Sequence, residues 1–572
     1  MTSMPRATVV DVLECLGDEF QDFAEGFSRG EYLLWLGSGL SRDVVPNVAA
    51  IVERMLEFLR TNVEDPEASC RFSRALDEVL DVAGVPAATR ASLDYSVPVD
   101  SWPDLDDIVG RLVDRYADVL NVQVQDEDED FLVWDGLDVP NTYGAPELEP
   151  GVEHVCVAVL MLEGVVRAAP TTNWDGLVEA AMAKLVGDDV DRCLCVVVRP
   201  EDFRDGERQA ELLKFHGCAV RAILDEGEYR HRLIARKKQI SGWTTRPENQ
   251  MMKNRLEHHF AAQSAFVVGL SAQDANIHTV LHEATQGLAR TWPHTPPAVV
   301  FAEQSLHHHH RHVLQVTYGD SYAANVEAIS ESALLGAYAK PALVGLLLFT
   351  LVEKLRTLVG CVSELALSEP DTERVRGDLL VMRDSAGALA DADPAAFVQQ
   401  LVSFLAFALS VFRKGEVASP DALHYRPISV LPVARAVADA DYPGASLGRL
   451  AVAISLLARG SSEGQWSLSL GTAASPSDGV LNVASGHRRS KVFAVRDSRS
   501  LSQLEVDGVL DPDDDEAVVL LAEAAQALTR SPRPRYGRTG TSGVRCVDLE
   551  DLCGSVDTAD ELFEAFRLEG AL

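Results

Sequence analysis

Ala169-Pro170-Thr171-Thr172-Asn173-Trp174-Asp175-Gly176-Leu177-Val178-Glu179 sets an amide, an indole and a carboxylate between a strand end and a helix start. The run before it, residues 164–169, is short and partly β-branched; Pro170 breaks it, and residues 176–181 read as helix. Asn173 and Asp175 therefore fall in a strand-to-helix turn, where open α/β sheets hold their ligands. An Asp before an apolar helix also serves as an N-cap and satisfies backbone N–H groups with no further task. The turn by itself leaves both roles open.

Upstream, residues 9–27 read as an amphipathic helix leading into an apolar strand at 31–36, which stops at Gly37-Ser38-Gly39-Leu40-Ser41. Glycines there let a backbone approach a ligand closely. The next helix, 48–59, would aim its N-terminal N–H groups at an anion such as a pyrophosphate. Arg42 occupies the place of the third glycine in a dehydrogenase fingerprint, and a plain turn explains the glycine pair equally well. Downstream come a helix at 152–162, a strand at 193–198, and residues 211–217, where His216 precedes Gly217. A single His at such a place is more often structural than catalytic. The strand at 265–271 ends in Gly269-Leu270-Ser271, followed by Asp274 and a helix over 276–287, a second phosphate-suited turn; residues 297–302 add one more strand. The expectation is an α/β fold for 1–330, a Rossmann-like doubly wound parallel sheet with a helical insertion at about 70–140. The insertion carries an acidic run at 125–130 that lacks the glycine and spacing of a calcium loop. The histidine cluster His307 to His312 has no adjacent carboxylate or thiol to set a metal geometry and reads as an exposed surface turn.

A chain of 572 residues, 47% hydrophobic, is long enough for two or three domains with full cores. Its 51 Lys and Arg against 87 Asp and Glu give a formal net charge of −36, which repels a phosphate backbone, so no direct nucleic-acid partner is expected. The longest apolar run, 342–352, is too short to span a bilayer, and the first twenty residues hold no uninterrupted apolar stretch; the expectation is a cytoplasmic protein with no membrane partner. The 9 cysteines form no CxxC pair; the nearest approach, Cys193 and Cys195, reads as two side chains on one strand face, reduced like the rest. From about 331 onward, helices at 342–367, 375–382, 394–412 and 446–458 with broad apolar faces precede strands at 466–470, 481–484 and 491–496 and a helix at 516–528. A Pro- and Arg-rich loop follows at 530–538. Residues 331–572 thus read as a mainly helical α+β C-terminal domain.

Four elements stand in one order: GSGLS, TTNWD, KFHG, and VGLS followed by Asp274. Over about 10–305 they resemble the sirtuin-like superfamily, particularly its bacterial NAD-hydrolysing members. Gly37, Gly39 and Ser41 match the family's GAG motif and the small residues after it. Thr171, Asn173 and Asp175 match TQNxD, with Thr172 in place of Gln; His216 and Gly217 match HG; Gly269 and Ser271 match GxS. Two departures stand out. Sirtuin deacylases carry a four-cysteine zinc module between HG and GxS, where this chain has only Cys218, and the Arg that follows the first motif is not evident. With Thr172, these point away from the deacylases and toward the divergent hydrolases.

What the resemblance implies is NAD as substrate, no metal, Asn173, His216 and Asp175 as catalytic residues, and Gly37, Ser38, Gly39, Ser41, Thr171, Thr172, Trp174, Gly269, Ser271 and Asp274 in contact with NAD. The implied activity is an NAD glycohydrolase acting as a regulated antiphage effector. The alternatives are an NAD-dependent protein deacylase and a non-catalytic NAD or ADP-ribose sensor. The chemistry suits these residues, because nicotinamide leaves as a neutral base and no general acid is needed, unlike O-glycoside cleavage. Asp175 would bond the carboxamide or support positive charge on the ribose, Asn173 would orient a water, and His216 would contact ribose hydroxyls or take the water's proton. Trp174 either covers the pocket or packs as a core indole. The fused region 331–572 is implied to be a sensor or oligomerisation domain of a homo-oligomer, with a partner ATPase or a phage-derived trigger among its expected partners.

Overall fold

The computed structural model describes residues 7–63, 70–113, 115–145, 147–204, 208–286, 288–419, 422–433, 435, 444–523 and 543–572. At its centre, Tyr-Leu-Leu-Trp-Leu forms β1 (Tyr32–Leu36), joined by β2 (Ala168–Thr171), β3 (Leu194–Val197), β4 (Ala210–Lys214), β5 (Ser264–Val268) and β6 (Val299–Ala302). All pairings are parallel and the order is β3-β4-β2-β1-β5-β6, a doubly wound sheet whose direction of winding reverses at β1. Tyr32, Leu34, Leu36, Phe266 and Val268 enter one buried cluster, whereas Leu33, Trp35, Ala265 and Val267 enter another. Side chains alternate across a strand, so both faces of this sheet are covered, which is why its strands are apolar without alternation.

The first face packs on the helices Val9–Gly17, Gln21–Ser28, Val152–Leu162, Leu177–Val186 and Ala339–Val359. The second face packs on Gln250–Ala262, Ala275–Thr285 and His308–Tyr318. The helical insertion has its own core, in which Val52, Met55 and Leu56 from the helix Val48–Thr61 meet Leu76 and Val79 from Arg71–Val82 and Ile108 and Leu112 from Leu105–Val113.

Three local readings are corrected. The amphipathic stretch 9–27 is two helices, broken at Asp18, whose φ of −129° and ψ of −97° are not helical; Gly17 just before it is a poor interior helix residue. The cluster His307 to His312 is exposed at His307, His308, Arg311 and His312 but is not a turn: it opens the helix His308–Tyr318, where His310 is 1% exposed. The expected helix at 516–528 begins as a strand, β10 (Ala517–Leu521), every residue of which is buried. A short apolar run has no period to tell helix from strand, and a central place in a sheet decides it. The rest of that reading and the loop at 530–538 lie outside the described residues.

That second sheet runs β11-β10-β9-β8-β7, with β7 (Ser467–Leu470), β8 (Leu481–Ser485), β9 (Arg488–Val495) and β11 (Arg545–Asp548). β9, β10 and β11 are parallel, while β7, β8 and β9 pair antiparallel. The first cluster passes without interruption from β1 and β5 through Ala339–Val359, Glu369–Ala392 and Gly444–Ser462 to Phe493, Val518 and Val547 of this sheet. Among the described residues one helix, Pro394–Lys414, is long and apolar enough to cross a membrane by length and composition alone. Its Phe407, Leu409, Val411 and Phe412 are buried in that shared cluster.

Candidate functional site

The four motifs end four adjacent strands, β4-β2-β1-β5, so sheet order converts sequence-distant turns into neighbours. The first and fourth are fitted to each other through their glycines. Gly39 donates its N–H to Gly269 O at 2.8 Å and Gly37 donates to Val268 O at 3.0 Å. A Cβ on Gly37 would lie 2.5 Å from Gly269 O, and one on Gly269, whose φ is +64°, would lie 2.5 Å from Leu40 N. The immediate reason for glycine here is backbone meeting backbone. After β1 the chain makes a short 3₁₀ turn, Ser38–Ser41, and the helix Val48–Thr61 starts only after a further loop, capped by Asn47, which accepts from Ala50 N. Ser38 and Ser271 are exposed at the rim, Gly39 and Thr172 are half-buried, and Thr171 is buried.

Ser41, fully buried, is where the turns after β1 and β2 join. Its Oγ donates to Asp175 Oδ2 at 2.9 Å, lies 3.0 Å from His154 Nε2, and accepts from Asn173 Nδ2 at 3.3 Å. Asp175 Oδ1 accepts from Leu177 N at 3.2 Å, so this carboxylate both caps the next helix and holds Ser41. Asn173 is fastened at its backbone, where its N–H donates to Thr171 Oγ1 at 3.0 Å. Its side-chain Oδ1 is buried without a hydrogen-bond partner among the described residues. A buried acceptor left open in this way is costly unless a ligand or water fills it.

At the end of β4, His216 Nε2 sits 2.9 Å from Asp274 Oδ2, both side chains 7% exposed. The contact has ion-pair distance, becoming an ion pair only when the imidazole is protonated, and lacks the alignment of a hydrogen bond. Asp274 is held from its other side, Oδ1 accepting from Asn276 N at 2.7 Å at the start of the helix Ala275–Thr285. Burial pushes the Asp274 carboxyl up, but the His216 imidazole, the Asn276 N–H and His278 outweigh it and hold it below the usual carboxylate range. Tyr116, from the insertion, lies near enough to feel this carboxylate: burial, then the Asp274 charge, raises its phenol to about 12. The insertion also brings Tyr143, whose ring stands 6.0 Å from Trp174 and whose hydroxyl is pushed up by burial and by Asp175. Trp174 accordingly packs at the edge of the insertion core.

Sequence reasoning missed four residues here. Lys214, 1% exposed, reaches from β4 to Glu179 Oε1 at 2.8 Å and to the Asp175 carbonyl. Burial works against its charge, but Cys218, Glu179 and Asp175 together keep it strongly protonated. His310 Nε2 lies 2.9 Å from Leu270 O and so steadies the VGLS turn. Tyr116 lies within electrostatic reach of Asp274. His154 sits fully buried on the helix Val152–Leu162, where its Nδ1 accepts from Gly151 N at 3.1 Å. Its one signal in the sequence is an imidazole that, with Glu153, interrupts an apolar helix feeding β2. Burial lowers the His154 pKa below its ordinary value, against the opposing pull of Asp175. Among the described residues no group of three or more His, Cys, Asp or Glu side chains stands where it could hold a metal ion.

Residues 167–322 match the family model of the SIR2-like domain, a span from β2 through β6 that takes in Asn173, Asp175, His216, Gly269, Ser271 and Asp274. SIR2-like domains bind NAD. The GSGLS turn lies outside the matched span and enters the same site through Ser41, Gly37 and Gly39. A search of curated proteins found no match.

Proposed function

We propose that this chain is an NAD glycohydrolase, which cleaves the bond between nicotinamide and ribose to give nicotinamide and ADP-ribose. The observation that carries the reading is the pairing, on adjacent strand ends of a SIR2-like region, of a buried unpartnered acceptor, Asn173 Oδ1, with the His216–Asp274 pair. In this reading the Gly37–Ser41 and Gly269–Ser271 turns cradle NAD together with Thr171, Thr172 and the edge of Trp174. The C–N bond breaks with its electron pair going to the pyridinium nitrogen, and nicotinamide leaves neutral. Positive charge grows on C1′, and a water whose hydrogen is held by Asn173 Oδ1 forms the new C–O bond. His216, with Nε2 turned to Asp274, takes the water's proton, and Asp274 stabilises the imidazolium that results. Asp175 acts mainly through Ser41 and the helix cap, since both its oxygens are engaged.

The wider role proposed with it is a cytoplasmic antiphage effector, with 1–330 as the catalytic domain and 331–572 as the sensor or oligomerisation domain of a homo-oligomer. A partner ATPase or a phage-derived trigger would activate it. An unrestrained NADase drains its host, which supports a restrained resting state. The test is to incubate the purified full chain with NAD, with and without an acyl-lysine peptide, and to quantify nicotinamide and ADP-ribose. Peptide-independent release of both supports hydrolysis. Release only with the peptide makes the chain a deacylase, and tight NAD binding without release makes it a sensor.

A further inference from the structure

The Ser41 hydroxyl has one proton and three polar neighbours, and the identities of those neighbours fix where the proton goes. Asp175 Oδ2 is a carboxylate oxygen that only accepts, so the Ser41 O–H at 2.9 Å is committed to it. His154 Nε2, 3.0 Å from the same oxygen, must then be the donor, which in a neutral imidazole leaves Nδ1 unprotonated. The bond on the far side of the ring demands the same: Nδ1 accepts from the Gly151 N–H at 3.1 Å. Two independent contacts thus select one neutral tautomer. The third neighbour follows, because a Ser41 oxygen whose proton is spent offers only lone pairs, and Asn173 must turn its Nδ2 toward it. Asn173 Oδ1 is left facing away, buried and unpartnered.

We infer that His154 is a positioning residue of this site: locked as the Nε2–H tautomer between Gly151 and Ser41, it sets the Ser41 proton toward Asp175 and so makes Asn173 present its carbonyl oxygen to the reacting water. The inference rests on the reading of the site as one that cleaves NAD, and it assigns the site an acceptor at Asn173 rather than a donor. The relay spans residues 41, 151, 154, 173 and 175, with Ser41 and His154 at 0% exposure, so water does not substitute for a missing link. A protonated imidazole does not fit, since Nδ1–H would face the Gly151 N–H.

The first test reads the ring itself. In full-length protein labelled with ¹⁵N-histidine, the resonance that disappears in His154→Gln is expected to show Nδ1 unprotonated and Nε2 protonated, and to stay so through the pH range in which an ordinary histidine titrates. The opposite tautomer, or ordinary titration near pH 6.5, overturns the inference whether or not the chain cleaves NAD. The second test reads kinetics. His154→Phe fills the same space without a donor and is expected to lose about 100-fold in kcat with KM within a few-fold, as for a displaced reacting group. His154→Gln can offer its amide N–H to Ser41 and its carbonyl to Gly151 and is expected to recover at least tenfold of that loss. Thermal unfolding of both variants identifies a folding failure, and a folded His154→Phe with parental kcat overturns the inference. If the parent protein releases no nicotinamide, the proposed function falls, and the tautomer measurement alone decides this one.

Discussion

Replacing Lys354 by Met removes one ammonium from the junction between the helices Val152–Leu162 and Ala339–Val359. Lys354 and Glu163 are both 0% exposed, and the three protons of the ammonium are fully used. It donates to Glu163 Oε2 at 2.5 Å, to Glu163 O at 2.7 Å and to Ser429 O at 2.7 Å. Glu163 Oε1 in turn accepts from the Tyr425 hydroxyl at 2.5 Å and from Ile428 N at 2.9 Å. Methionine fills the volume but strands a buried carboxylate without its cation. Breaking a buried pair from one side costs about 3–5 kcal/mol. The double change Lys354→Met with Glu163→Gln removes the uncompensated charge while keeping a carbonyl oxygen for Tyr425 and Ile428. It should be more stable than Lys354→Met alone by at least about 1 kcal/mol, the size of coupling expected for contacting residues. The assay is urea unfolding of the three proteins followed by far-UV circular dichroism, compared by midpoint at equal slope. A Lys354→Met protein within about 1 kcal/mol of the parent, or a double variant weaker than the single, would refute the reasoning.

Asn173→Ala and His216→Ala should each reduce nicotinamide release by at least about 100-fold with unchanged circular dichroism; near-parental turnover in either removes that residue from the mechanism. At Asp378, burial pushes the carboxyl up to about 6 from an ordinary 3.8, against the pull of Arg459 and Arg374. The charged form is therefore disfavoured in the fold, stability falls as pH rises from 3.8 through about 6, and Asp378→Asn should flatten that fall in a series of melting temperatures. Gly269→Ala combines a φ of +64° with a Cβ only 2.5 Å from Leu40 N; it should cost at least about 1–3 kcal/mol, and an unchanged melting temperature would show that the turn has room. A chain cut after Ser330 should aggregate, because Val12 and Leu16 lose the Ala339–Val359 helix they pack on, and a soluble, monodisperse 1–330 fragment would contradict a shared core.

The six-stranded sheet was legible because its signals are local: short, mostly apolar runs each followed by a turn, although Pro170, read as breaking its run, lies inside β2 opposite Leu213. β1 and β5 are clear for that reason, and so are the turns carrying Asn173, His216 and Gly269. Legibility ended where a residue's state depends on a distant partner. The continuous apolar run at 517–521 is compatible with either helix or strand until β9 and β11 flank it. The histidines at 307–312 look like a polar surface turn, yet His310 is drawn inward by the Leu270 carbonyl, forty positions away. His154 is separated from Ser41 by 113 positions, and nothing local distinguishes it from a buried spacer. Asp175 is the converse case: the backbone contact at the helix start weighed from the sequence is present on one carboxylate oxygen, and the other oxygen holds Ser41, a partner 134 positions away.

The same packing bears on how residues 331–572 could act on the site. Lys340 Nζ reaches Asp43 Oδ2 at 2.6 Å and Glu153 Oε1 at 3.7 Å, and the Arg42 guanidinium lies 5.4 Å from the centre of the Tyr338 ring. Arg42 and Asp43 follow Ser41 directly, and Glu153 precedes His154, so these contacts land one or two residues from both ends of the Ser41–His154 bond. Glu153 is mostly buried, and burial raises its carboxyl despite Lys340, which ties that end to the interior rather than to solvent. A shift of the Ala339–Val359 helix would therefore move both anchors of the bond together. Exposed ion pairs of this kind contribute little to stability, but coupling needs only a difference in contacts between two states. The C-terminal region is thus joined to the site at two levels, through the buried Lys354–Glu163 pair that fixes the helices and through the Tyr338–Lys340 contacts that touch the residues beside Ser41 and His154.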